Sequence, residues 1–189
     1  NIDLPKNIQD IAGEKILKGD IQELHTTSKY LARHNSADKH FIAHGYVNDR
    51  VLNINIQTRW QGNRAEGFIG AEQYEKILDY FKGKFDMILG AWGEDSDNLK
   101  AFNTATTGKI IGTVREFLEN AVWETWTGKQ AKKHRYGRII KERMYLMGDE
   151  LGKFQSAIVY FVPSDISDEE YEKIYNSMIP LSQGMYFNY

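Results

Sequence analysis

The chain contains no cysteine. Disulfides, thiolate metal sites and cysteine nucleophiles are therefore excluded from its chemistry. Nothing in it changes covalently on passing between compartments of different redox poise. Only 3 prolines occur in 189 residues, so the chain reads as regular elements rather than a loop-dominated polymer. No window approaches the roughly 18 apolar residues of a spanning helix, and no secretory leader opens the sequence. A dominant charge is also missing: 24 Lys and Arg stand against 26 Asp and Glu, a net charge of -2 with a pI near 6.2. No global field draws such a chain onto nucleic acid or anionic lipid, so any affinity of that kind has to come from a local patch. Walker A, Gly-x-Gly-x-x-Gly, Gly-x-Ser-x-Gly and His-Glu-x-x-His signatures are all absent. That removes P-loop nucleotidases, Rossmann dehydrogenases, α/β-hydrolases and the common zinc proteases from the front rank.

What is present is an ordinary globular composition, 41% hydrophobic and 26% charged, long enough to bury a core without staples. Aromatics reach 13%, with 11 Tyr and 4 Trp, residues that suit a half-wet binding face. The first residue is Asn1, which is read as the start of one domain cut from a longer protein.

Hydrophobic spacing predicts helices over Pro5–Leu17 and Asp20–His34, then a turn over Asn35–Asp38. Val51–Trp60 alternates Ile54, Ile56 and Thr58 with Asn53, Asn55 and Gln57, a strand with one wet face. Ala71–Phe81 carries Tyr74, Ile77, Leu78 and Phe81 on one helical face, and Phe85–Trp92 reads as a buried strand. Ser96 or Asp97 caps a helix from Asn98. Helical pattern resumes from Lys109 to Trp126, and Thr127 is expected to cap a further helix that Gly137 ends. Arg138–Leu146 and Phe154–Val162 read as a hairpin around Gly148–Gly152. Ser167 and Glu170 open a terminal helix, and Leu181–Tyr189 reads as an apolar tail packed on the domain. The expected fold is α+β: a single domain over 1–189, with N-terminal helices (1–36) followed by a small, mostly antiparallel sheet packed with helices (37–189).

Four stretches carry candidate chemistry. His40 and His44, with Lys39 beside them, lie four apart. On a helix they would share a face and serve as general acid and base, with Lys39 facing a phosphate. A two-histidine metal site lacks an obvious carboxylate partner, so no metal or cofactor is expected. Arg59, Trp60 and Arg64 flank a glycine loop at a strand end, where sites are often built; their guanidinium groups fit a phosphate or pyrophosphate. Glu94, after the strand bearing Trp92, is a candidate acid, though its loop equally serves to cap the next helix. Lys132, Lys133, Arg135, Tyr136 and Arg138 belong to the one basic stretch, which suits RNA or equally a solvated face and a guarded sheet edge.

Ile88 to Gly137 carries a further pattern: Gly90-Ala91-Trp92, Asp97-Asn98-Leu99, Phe102-Asn103, and Thr125-Trp126-Thr127-Gly128-Lys129-Gln130-Ala131. It resembles the C-terminal toxin modules of bacterial polymorphic toxins, such as Rhs and contact-dependent-inhibition effectors. The resemblance implies a module released from a larger secreted effector into a target-cell cytoplasm and neutralised by a cognate immunity protein. It does not fix the activity, since such modules include nucleases, deaminases and NAD-consuming enzymes. The motif residues also read as scaffold, with Thr127 as a cap and Trp92, Leu99, Phe102 and Trp126 as core.

The leading expectation is a metal-independent ribonuclease using His40, His44, Lys39 and Arg59, with RNA along Lys132 to Arg143. The alternative is an NAD-consuming toxin, an ADP-ribosyltransferase acting on a protein target or a glycohydrolase. There Arg59 or Arg64 would hold the dinucleotide, Trp60 or Trp92 would stack on nicotinamide and Glu94 would orient the ribose. A non-enzymatic binding domain is the third reading.

Overall fold

A computed structural model describes residues 14–18, 21–33, 36–60, 62–64 and 67–179, with side chains from Ala43 onward except those of Trp60 and Asn63. The chain forms two compact units, Asn1–Asp86 and Met87–Tyr189, and both combine strands with helix, the α+β class expected. Among the described residues no helix is long and apolar enough to cross a membrane.

The first unit is an antiparallel sheet of β1 (Glu14–Lys18), β2 (Ile21–Arg33), β3 (Ser36–Asn48) and β4 (Val51–Gln57), paired in that order. A short ribbon of β5 (Arg59–Trp60) and β6 (Asn63–Arg64) follows, then α1 (Gly70–Tyr80). The helix expected over Asp20–His34 is thus a strand. Its Ile21, Leu24 and Leu31 spacing mimics a helix, but the β-branched Thr26 and Thr27 favour extended backbone. Pairing along β3 then fixes β2 as a ladder. The turn expected over Asn35–Asp38 gives way to β3 from Ser36. Of the first predicted helix, residues 5–13 lie outside the described residues, as does the Leu181–Tyr189 tail, while its end, 14–17, is part of strand β1 rather than a helix.

β3 and β4 are joined by Asp49 and Arg50, both at positive φ (48° and 59°), the left-handed two-residue turn that matches strand twist. Arg50 is an unusual residue there. Asp86 receives its guanidinium as a fork, at 2.7 and 2.8 Å, and the Asp86 N–H donates to the Arg50 carbonyl at 2.8 Å. That carboxylate holds the Arg50 guanidinium above its ordinary pKa through the hydrogen bond first and charge second. The turn pins a register in which Gly45 faces Ile54 and Val47 faces Leu52. α1 buries Tyr74, Ile77 and Leu78, and its neighbour Phe81 is also buried. A Cβ on Gly45 would sit 2.5 Å from Ile77 Cγ2 and 3.2 Å from Phe81 Cε2, so helix and sheet touch closely here because this residue has no side chain.

In the second unit β7 (Met87–Gly93) runs antiparallel to β10 (Ser156–Val162). On its other edge β10 pairs with two short strands, β8 (Arg138–Ile139) and β9 (Tyr145–Met147). The long strand expected over Arg138–Leu146 is broken between them by a 3₁₀ turn, Lys141–Arg143. The helices are α2 (Asp97–Ala105), α3 (Val114–Val122), α4 (Trp126–Lys133) and α5 (Asp168–Ser177). Each has a hydroxyl N-cap: Ser96, Thr113 in a full capping box with Glu116, Thr125 and Ser167. The α4 cap is therefore Thr125, not Thr127. Ile88, Phe102, Leu118, Val122, Ile140, Val159 and Phe161 form the core.

The close helix–sheet approach makes a direct prediction. Gly45→Ala should destabilise the first unit by about 1–3 kcal/mol through overpacking, read as a lowered urea midpoint. Gly93→Ala, where an added Cβ meets nothing within 4 Å, should leave the midpoint unchanged.

Candidate functional site

Strand parity sorts the first unit's residues onto two faces. Ala43 and Gly45 of β3 and Leu52 of β4 are buried on the α1 side. The opposite face is wetter: His44, Tyr46, Asn53 and Gln57 are half-buried and Asn55 is exposed. On that face the register draws rows across the sheet. Glu14 pairs with His25, His25 with His44, and His44 with Asn55. The neighbouring row runs Ile16, Glu23, Tyr46 and Asn53. The His44 ring lies 5.5 Å from that of Tyr46.

His40 and His44 are both on β3, not on a helix. Four strand residues span about 13 Å, roughly twice the separation one helical turn gives. What stands beside His44 is His25, at a directly opposed position where Cα atoms are about 4.5–5.5 Å apart. His25 was not among the residues the sequence singled out. The period-two run Ile21, Glu23, His25 and Thr27 marks its face once Ile21–Arg33 is read as a strand. Lys39 also lies on β3, opposite Leu31, on the alternate parity from His40 and His44.

Arg59 and Arg64 are both exposed and sit directly opposite one another on the β5–β6 ribbon, with Trp60 opposite Asn63. Like charges at opposed positions repel, and a bound anion relieves that cost. β5 lies against β3. Six of the singled-out residues, Lys39, His40, His44, Arg59, Trp60 and Arg64, belong to one unit, and His40 and His44 hold positions of the same parity on β3. Glu94, Trp92 and the basic stretch belong to the other unit.

In the second unit most of the motif residues are structural. Trp92 is 4% exposed and Phe102 is fully buried, their rings 6.3 Å apart. Trp92 therefore presents no open face for nicotinamide. Trp126, expected in the core, is 38% exposed. The Asn98 amide spans Thr127, donating to its Oγ1 and accepting its N–H, both at 2.9 Å. This is why Thr127 does not cap. The Asn103 amide does the same for Phe154 backbone, donating to the carbonyl at 3.0 Å and accepting the N–H at 2.9 Å. Thr125 Oγ1 donates to the Val122 carbonyl and accepts the Gly128 N–H. Glu94 is exposed in the turn after β7, and the next hydroxyl, Ser96, accepts from the Asn98 and Leu99 N–H groups.

The basic stretch is partly consumed as well. Arg138 stacks on Tyr171 at 4.2 Å and reaches Asp168 at 3.5 Å. Arg143 lies over Tyr175 at 4.5 Å, and Lys132 over Trp123 at 5.8 Å. Tyr171 donates to Glu142 at 2.5 Å and accepts the Lys141 N–H at 3.1 Å. Burial first, then the Glu142 hydrogen bond, raises the Tyr171 hydroxyl far above its ordinary range. These contacts tie α5 to the 3₁₀ turn. Tyr136 is half-buried, whereas Lys133 and Arg135 are exposed. Glu119 on α3 is raised by burial, against the pull of Lys141 and Arg115 and with a push from Glu142.

Among the described side chains no three His, Asp or Glu converge as a metal site. Comparison with known proteins finds no matching family model, no matching curated protein and no matching solved structure.

Two outcomes follow for the second unit. Asn98→Ala should cost about 1–3 kcal/mol, because the Thr127 N–H loses its acceptor, measured by urea denaturation with an unchanged slope. Glu119 has a folded pKa above its unfolded one, so its contribution favours folding at low pH and is lost as pH rises through the carboxylate range. Glu119→Gln should therefore raise the melting midpoint at pH 7, with the gain vanishing near about pH 4.

Proposed function

We propose that this chain is the toxic module of a bacterial effector and that it cleaves RNA without a metal, on the histidine face of its first unit. The observation that carries the reading is the opposed pair His25 and His44, with Arg59 and Arg64 opposed on the adjoining ribbon. Two imidazoles at adjacent strand positions suit an in-line displacement at phosphorus. The neutral one takes the 2′-hydroxyl proton as that oxygen attacks. The protonated one gives its proton to the departing 5′ oxygen, leaving a 2′,3′-cyclic phosphate and a free 5′-hydroxyl. The arginine pair would hold a neighbouring phosphate by forked contacts. His40 and Lys39 become flanking contacts rather than the acid–base pair.

The module character rests on the motif residues between Gly90 and Ala131, and with it come delivery into a target-cell cytoplasm as part of a larger effector and a cognate immunity protein. The NAD-consuming alternative keeps the arginine pair for a pyrophosphate but loses Trp92 as its stacking ring.

The test is incubation of the chain with total RNA in EDTA. Cleavage to cyclic-phosphate ends is expected. His25→Ala and His44→Ala should each lower the rate by about 10²-fold or more, and His40→Ala by far less. Intact RNA at high enzyme concentration, or release of nicotinamide from NAD instead, overturns the reading.

A further inference from the structure

The cations of the second unit's basic stretch divide into two groups. Arg138 and Arg143 hold α5, through Tyr171, Asp168 and Tyr175. Lys129, Lys132 and Lys133 on α4, and Arg135 just past its end, are all exposed. Among the described residues none of these four pairs with a carboxylate. No Asp or Glu occurs between Thr125 and Ile140, in a chain whose acids outnumber its bases. Gly128 and Ala131 are the buried side of α4, which leaves Lys129 and Lys133, one turn apart, as neighbours on the wet side. Lys132 Nζ lies 5.8 Å over the Trp123 ring, a contact that positions the ammonium while keeping its charge at the surface.

Arg135 has a φ of 68°, in the left-handed region where helices ordinarily end on glycine or asparagine. Its backbone is locked there: the N–H donates to the Lys132 carbonyl at 3.1 Å, and its own carbonyl accepts the Ser164 N–H at 2.8 Å. Arg50, the other left-handed arginine, is compensated by its fork onto Asp86. Arg135 has no such partner among the described residues. Lys132 and Lys133 also complement the carbonyl end of α4, which accounts for two lysines but not for a strained, solvent-facing arginine. Strain kept without a structural return points to a ligand.

We propose that Lys129, Lys132, Lys133 and Arg135 form an RNA-docking surface that grips the phosphate chain without reading base sequence. The choice of RNA as the nucleic acid rests on the ribonuclease reading above. Lysine is a point charge suited to phosphate and is depleted from protein–protein interfaces, so three lysines favour a nucleic acid over an acidic protein. Such a surface retains the strand rather than acting on the reacting phosphate, so it lowers KM and leaves kcat alone.

The test titrates the whole chain into a labelled 2′-O-methyl oligoribonucleotide, which lacks the attacking hydroxyl, and follows anisotropy across a salt series. Lys129→Gln, Lys132→Gln and Lys133→Gln should each weaken binding, equally for uridine-rich and adenine-rich strands, and each should flatten the log–log salt slope by about 0.7. Arg135→Gly should weaken binding while raising the melting temperature, because it relieves the left-handed strain. Lys109→Gln and Lys173→Gln, exposed lysines elsewhere in the unit, should change neither, with circular dichroism confirming the fold of every variant. On natural RNA the Lys129, Lys132 and Lys133 triple variant should raise KM at unchanged kcat. Binding of that triple variant with the parent affinity and slope overturns the surface, as do equal losses at Lys109 and Lys173. Displacement of the strand by polyglutamate at equal charge overturns the assignment to RNA in favour of an acidic protein. Salt-dependent binding lost in the triple variant, with no cleavage of natural RNA by the parent chain, keeps the surface and removes the ribonuclease reading. Cleavage whose KM the triple variant leaves unmoved does the reverse.

Discussion

Side chains alternate along a strand with a period of two, so a single register decides which residues of the first unit can meet. A slip of one residue along β3 would send His44 beneath α1 and bring Ala43 and Gly45 to the wet face. Two devices hold that register. The left-handed turn at Asp49 and Arg50 leaves no slack between β3 and β4, and Asp86 fastens it through a forked ion pair and a backbone hydrogen bond. Gly45 admits Ile77 and Phe81 at a distance no other residue allows. The row of Glu14, His25, His44 and Asn55 is a by-product of this fit. The chemistry proposed for the unit depends on a hairpin turn and a missing methyl group as much as on its histidines.

The second unit is held differently. Its helix ends and loops are satisfied by short polar side chains acting on backbone groups, and three of its cations, Lys132, Arg138 and Arg143, are stacked on tryptophan or tyrosine rings. Asn98, Asn103 and Thr125 each make two directed hydrogen bonds. Such bonds are cheap to keep and costly to lose, because the buried partner left behind finds no water. All three residues lie in the stretch from Gly90 to Ala131.

Much of the α+β fold could be read from the sequence where the hydrophobic period was clean. α1, α2, α5, β4, β7 and β10 fall close to their expected places because Tyr74, Ile77 and Leu78, or Ile54 and Ile56, repeat at the spacing their element requires. Ile21–Arg33 was misread because Ile21, Leu24 and Leu31 fit a helix by coincidence, while the partner that makes it a strand lies up to some twenty-five residues away along β3. The candidate site suffered from the same non-locality. His40 and His44 drew notice by being near in sequence, whereas the histidine directly opposite His44 across the sheet is His25. Arg59 and Arg64 were legible as flanking a glycine loop at a strand end, but their direct opposition on the β5–β6 ribbon was not. Thr127 was mistaken for a cap because Thr125, two residues earlier, offers the same hydroxyl, and only the Asn98 bridge tells them apart.

The Asn103 bridge addresses the carbonyl and N–H of Phe154, groups that every residue but proline carries in full. The information in that contact is therefore lopsided. The asparagine is chemically fixed, while its partner needs only an apolar side chain to fill the space beside Phe102, 5.8 Å away between ring centres. Among diverging copies of this chain, position 103 should stay frozen while position 154 drifts among hydrophobic residues. An unvarying asparagine there would be the mark of a backbone staple rather than of a catalytic group.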